Sequence, residues 1–141
     1  MSFKKKMYFA GYAIGGLAFA LILSPARADV SVVGKKLYLE NCASCHGTSG
    51  KGDGIMTRYL KIQPSDLTKL AKNNKGVFPY KKVSRVIDGR RTVRAHGETT
   101  MPVWGNVFQK VRGAPKDPAK AEEFVAGLTA TLTFFIAEMQ K

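Results

Sequence analysis

The chain has 141 residues, two cysteines and 45% apolar residues, with 23 Lys and Arg against 10 Asp and Glu. That length supports one small domain, the cysteine count excludes a disulfide-dense scaffold, and the apolar content excludes a disordered tail. A formal charge of +13 leaves nucleic acid, an anionic membrane and an acidic protein as the partner classes to separate.

The first element reads as an export signal. Lys4, Lys5 and Lys6 precede a 17-residue apolar run over positions 7–23, which Ser24-Pro25 breaks. Ala26-Arg27-Ala28 then supplies the small-x-small pattern of a signal-peptidase site, so residues 1–28 are expected to be a cleaved signal peptide and 29–141 the domain. The competing reading is an uncleaved anchor, for which 17 residues sit at the lower limit of a span. No cysteine lies at the cleavage point, which argues against a lipoprotein. Cleavage removes four basic residues and no acid, leaving 19 basic residues against 10 acidic ones, a net charge of +9.

Residues 32–42 predict the first helix, with Ser31 as its N-cap and Val33, Leu37 and Tyr38 on the apolar stripe. Gly47, Gly50, Gly52 and Gly54 predict a flexible loop, and Pro64-Ser65-Asp66 a turn into a short helix near 67–72. A further helix is expected over 80–88, with Val83, Val86 and Ile87 inward and Gly89 stopping it. From 89 to 103 no period is sustained. The last helix has the clearest start: Asp117 caps it, Pro118 fits its first position, and Glu122 and Glu123 favour its positive end. Phe124, Leu128, Leu132, Phe135 and Met139 predict its buried face, although Gly127 and the threonines at 129, 131 and 133 lower its intrinsic helicity. There is no strand alternation and no internal repeat. The expected fold class is all-α.

Both cysteines fall in Cys42-Ala43-Ser44-Cys45-His46, the C-x-x-C-H pattern of covalent haem attachment. Two thiols on one helical turn reach the two vinyl groups of one porphyrin, and the adjacent histidine supplies an imidazole nitrogen to the iron. Three other chemistries use such cysteines. A thioredoxin-like redox pair needs a βαβ setting, which the pattern lacks; zinc held with His46 and His96 would span too long a gap for a compact finger; a plain disulfide suits an oxidising compartment.

At these residues the chain resembles a class I c-type cytochrome of the bacterial periplasmic, monohaem kind. Gly34, Tyr38 and Cys42 fall at spacings of four, as in that family's N-terminal helix, and Leu132 with Phe135 looks like its aliphatic–aromatic pair on the C-terminal helix. Glycine lets two helix backbones cross closely and an aromatic ring locks the crossing. The resemblance implies a small cytochrome c fold, its N- and C-terminal helices crossing and its shorter helices and loops wrapped around one haem c. Cys42 and Cys45 would form the thioethers and His46 would be the proximal iron ligand.

Met101-Pro102-Val103-Trp104 resembles the family's axial-methionine loop, 55 residues beyond His46, which makes Met101 the expected distal ligand. Of the five methionines, Met1 and Met7 leave with the signal, Met56 follows His46 too closely, and Met139 lies on the last helix's stripe. The rival ligand is His96, which would give a bis-histidine haem of lower potential.

The imidazole's second nitrogen should donate to a carbonyl. Where the family usually has a proline after the glycine loop this chain has Ile55, leaving the carbonyl of Gly54 or Ile55 as the expected acceptor. Trp104 and Tyr59 are the expected haem contacts, with Tyr59 either core or a propionate partner. Arg90, Arg91 or Arg94 are candidate propionate partners, and Pro64 and Leu67 candidate cover for the haem face.

An iron with both axial positions filled has no open site, so the implied role is one-electron transfer and not an enzyme reaction. The reading is a periplasmic carrier between respiratory or dehydrogenase partners. A dedicated haem subunit of a dehydrogenase or oxidase complex is the alternative, and a gas-binding haem protein a second. Lys51, Lys61, Lys69, Lys72, Lys75, Lys81 and Lys82 fall in segments expected around the haem, a field suited to redox proteins with acidic docking surfaces. An exported chain without a nucleic-acid module gives nucleic acid no place. The expected state is a monomer without stable membrane insertion.

Overall fold

A computed structural model describes residues 25–90 and 101–141. The expectations for residues 1–24, for Arg91 and Arg94 and for His96 lie outside the described residues. Five α-helices follow in order: α1 (Pro25–Asn41), α2 (Ala43–His46), α3 (Tyr80–Asp88), α4 (Trp104–Phe108) and α5 (Pro118–Glu138). Single 3-10 turns occupy Ile55–Tyr59, Leu67–Lys69 and Lys72–Asn74. Among the described residues there is no strand, so the described chain is all-α, as expected. No helix among them is long and apolar enough to cross a membrane.

α1 and α5 make the principal contact, and α3 packs on the other side of α5. The core where these elements meet is Tyr38, Cys42, Val83, Ile87, Phe108, Val125, Leu132 and Ile136. The crossing point is Gly34. A Cβ there would stand 2.8 Å from Phe135 Cβ and 3.0 Å from the Thr131 carbonyl oxygen, so only a hydrogen lets α1 approach α5 this closely. Beside it the Tyr38 and Phe135 rings pack with centroids 5.4 Å apart. The glycine and aromatic assignments on both helices are therefore met.

Three expectations need correction. α1 spans Pro25–Asn41, so Ser31 lies inside the helix and is not its N-cap; its hydroxyl donates to Glu138 Oε2 instead (2.6 Å). α5 begins as expected, with Asp117 accepting from the Lys120 amide and Pro118 in the first turn, but Glu122 and Glu123 lie beyond that turn. Its buried face is Val125, Thr129, Leu132, Thr133 and Ile136, a stripe rotated from the large residues. Phe124, Leu128, Phe135 and Met139 line its half-buried flank. α1 and α3 both pack on α5, and Thr129 and Thr133 are buried with its apolar residues. Thr133 Oγ1 satisfies itself on the Thr129 carbonyl one turn back (2.8 Å).

α3 carries Val83 and Ile87 inward with Val86 half-buried, and Gly89 ends it with φ 67°, its N–H donating to the Arg85 carbonyl. The expected helix near 67–72 resolves into two 3-10 turns. Asp66 starts the first, accepting from the Thr68 amide (3.0 Å) and hydroxyl (2.6 Å), with Lys69 Nζ at 3.0 Å. Those contacts, the Thr68 hydroxyl foremost, hold the Asp66 carboxyl down to about 2. Asp66→Asn keeps the cap and loses the charge. Because the folded-state value lies below the ordinary aspartate one, this charge contributes stability above pH 4 and loses it as the pH falls toward 2. The urea midpoint of Asp66→Asn should fall below the parent's at neutral pH, with the gap closing between pH 4 and 2; a gap independent of pH would overturn the argument.

Candidate haem-attachment site

The attachment turn is built on the end of α1. Cys42 follows directly, its amide donating to the Tyr38 carbonyl (2.8 Å), and the His46 amide donates to the Cys42 carbonyl (2.9 Å). The five motif residues therefore form one helical turn, with both cysteines as free thiols. Cys42 is buried at the edge of the core, and burial pushes its thiol up to about 12. Cys45 and His46 are half-buried.

His46 Nδ1 lies 3.2 Å from the Ser65 carbonyl oxygen. A carbonyl only accepts, so Nδ1 carries the proton and Nε2 keeps its lone pair for a metal. Burial lowers the imidazole below its ordinary range and the Ser65 bond opposes that shift. Ser65 replaces the expected acceptors Gly54 and Ile55, whose carbonyls are taken locally. Gly54 receives the Thr57 amide and hydroxyl, and Ile55 receives Arg58 Nε.

The glycine segment is wound tightly onto the turn. The Gly52 amide donates to the His46 carbonyl (2.7 Å) and the Gly54 amide to the Cys45 carbonyl (3.2 Å). A Cβ on Gly54 would overlap the Ser44 carbonyl and stand 2.6 Å from the Cys45 carbonyl carbon, so this backbone seats against the motif itself. Gly52, at φ 78°, passes equally close to the Pro64 carbonyl. That contact brings Ser65 back to the histidine 19 residues earlier.

Tyr38 does more than fill the core. Its hydroxyl donates to the Gly47 carbonyl at 2.7 Å, joining the helix crossing to the residue after His46, and burial pushes the phenol upward. Gln140 bridges the other side: Oε1 accepts from the Ala71 amide, and Nε2 donates to the carbonyls of Leu67 and Ile136. Neither tie carried a sequence signal, since each partner is a backbone group.

Of the remaining expected residues, Trp104 opens α4, half-buried against the core with its ring 5.8 Å from that of Phe108. Met101 is half-buried just before it. Met139 is spent elsewhere, its methyl against Gly50, and Met56 is exposed. Tyr59 is 71% exposed beneath the Arg58 guanidinium, which removes its core reading. Arg90 is no free propionate partner, because its guanidinium is bound to Asp88 and Glu122. Pro64 and Leu67 are half-buried, Leu67 packing against the core with Leu70 and Phe78.

The residues present fit a covalently held haem: two unpaired thiols and an oriented imidazole on one turn, beside Leu67, Leu70, Phe78 and Trp104, which keep part of their apolar surface open. Among the described residues no cluster of three or more His, Cys, Asp or Glu could hold a metal ion, and the zinc reading with His96 lies outside them. Comparison with curated proteins and with solved structures gave no match. The cytochrome c family model matches residues 31–122, from the first helix through the attachment turn to the start of α5, and the chain belongs to the cytochrome c family.

Proposed function

We propose that this cytochrome is an exported monohaem carrier, with residues 1–28 removed as a signal peptide and residues 29–141 working in the periplasm. The haem c is covalently attached through Cys42 and Cys45, and when bound its iron supplies one-electron oxidation and reduction. His46 and Met101 are its axial ligands in this reading, with Trp104 and Tyr59 as further haem contacts. The observation that carries it is the Nδ1 bond of His46 to Ser65, which presents Nε2 as a fixed ligand on the same turn as both thiols.

The charge supports a docking role. Lys51, Lys61, Lys69, Lys72, Lys75, Lys81 and Lys82 are all exposed, interleaved with exposed Ile55, Tyr59, Ile62, Val77 and Tyr80. Cations steer an acidic redox partner from a distance and the apolar side chains supply a small contact area. The second-order rate of electron transfer to such a partner should fall as salt is raised from low to physiological strength, where the screening length is about 8 Å. A rate indifferent to salt would overturn the steering. A reduced-minus-oxidised spectrum tests the carrier itself, since thioether-linked haem has its own α-band.

The exposed apolar residues also favour a second reading, a haem subunit bound permanently to a larger periplasmic complex. Gel filtration of the native protein separates the two: a carrier elutes near the mass of its own chain, a subunit with its complex.

A further inference from the structure

The segment that carries Met101 leaves α3 and returns to α4, and its two ends meet. Gly89 lies directly on Val103: a Cβ on Gly89 would stand 3.2 Å from Val103 Cα and 3.4 Å from Cγ1. The residues on either side of Gly89, Asp88 and Arg90, sit against Gly105, two residues beyond Val103. A Cβ on Gly105 would overlap Asp88 Oδ1 and come within 2.5 Å of Arg90 Nε. The end of α3 is thus seated against the entrance to α4, backbone to backbone at Gly89 and side chain to backbone at Gly105.

The Arg90 guanidinium fastens this junction from three directions. Nε donates to Asp88 Oδ1 (2.5 Å), Nη2 to Asp88 Oδ2 (3.2 Å) and Nη1 to Glu122 Oε1 of α5 (2.6 Å). Gln109, just after α4, donates through Nε2 to the same Glu122 oxygen (3.1 Å). The side chains of Arg90 and Asp88 are only 21% and 27% exposed, so the planar fork is held in a fixed orientation. α3, α4 and α5 converge on this one side chain.

We propose that Arg90 is a positioning residue for the axial methionine: by tying the end of α3 to α5 and seating against Gly105 it fixes the entrance to α4, and so keeps Met101 at the iron. The proposal rests on the ligation read above. A thioether favours Fe(II), so its bond to Fe(III) is the weaker of the two. Retention in the ferric state then depends on how firmly the backbone next to Met101 is held, and the contacts at Val103 and Gly105 hold it two and four residues further on.

The test is the rate at which imidazole displaces the methionine in purified ferric holoprotein, followed by loss of the methionine-to-iron charge-transfer band. Each rate is read alongside that variant's urea midpoint. Arg90→Met and Gly105→Ala should each accelerate displacement by about fivefold or more, as expected for loss of a partly exposed charged pair. Arg90→Lys, which still reaches one carboxylate, should restore part of the parent rate. Ser31→Ala, which cuts the Glu138 bond at the other end of α5, should lower the midpoint without changing displacement. Should Gly105→Ala fail to load haem, Glu122→Gln supplies a gentler step of about twofold. Parent-like rates in the Arg90 variants, or rates that track the midpoint in every variant including Ser31→Ala, overturn the clamp. Retention of the band in Met101→Ala instead overturns the ligation, and the clamp with it.

Discussion

Met101→Ala is expected to abolish the ferric methionine-to-iron band and to lower the reduction potential by a substantial part of the roughly 0.8 V over which axial ligands act. The soft thioether stabilises Fe(II), and without it the ferric state gains. The structure narrows the choice of methionine: Met139 is packed on Gly50, and Met56 is 41% exposed. Met101 is half-buried at the entrance to α4, three residues before Trp104, which packs on the core. The substitution also opens a coordination position, so carbon monoxide should bind the ferrous variant and not the ferrous parent. Ready binding to the parent would favour the gas-binding reading. A parent without the band would favour ligation by His96.

What could be read from the chain alone follows from how local the chemistry is. C-x-x-C-H was legible because its thiols and imidazole sit within five consecutive residues. The Asp117-Pro118 start of α5 was legible because a cap is settled within one turn. Ser65 was not, since it reaches His46 only after the glycine segment has wound back, and its acceptor is a carbonyl that every residue possesses. The face of α5 was misjudged for a related reason: scoring large side chains hid the threonines, two of which are buried on a helix that α1 and α3 both pack against. Arg90 read as a candidate propionate partner because its partner Glu122 lies thirty-two residues away and leaves no local signal. Gly34, by contrast, was found through the family resemblance, in which a glycine opposite an aromatic marks the close helix crossing.

That crossing is where the second large effect is expected. Gly34→Leu should lower stability by about 3 kcal/mol, the upper range for forcing added volume into a packed contact. The first added carbon already stands 2.8 Å from Phe135 Cβ and 3.0 Å from the Thr131 carbonyl, and one of these belongs to the helix backbone. Rotamer changes cannot relieve it, so α1 and α5 must separate. The gain in helix propensity over glycine, at most about 1 kcal/mol, does not offset this. Separation also moves Tyr38 off Phe135 and strains its hydroxyl bond to Gly47, the residue after His46. The variant should therefore lose haem loading as well as stability. Val125→Ala is the matched control: it removes buried volume from α5, the other helix of the crossing, and costs a comparable amount, about 2–3 kcal/mol, while leaving the Tyr38 hydroxyl bond in place. Equal haem loading in the two variants at equal stability would show that the crossing holds the fold and has no separate hold on the attachment turn.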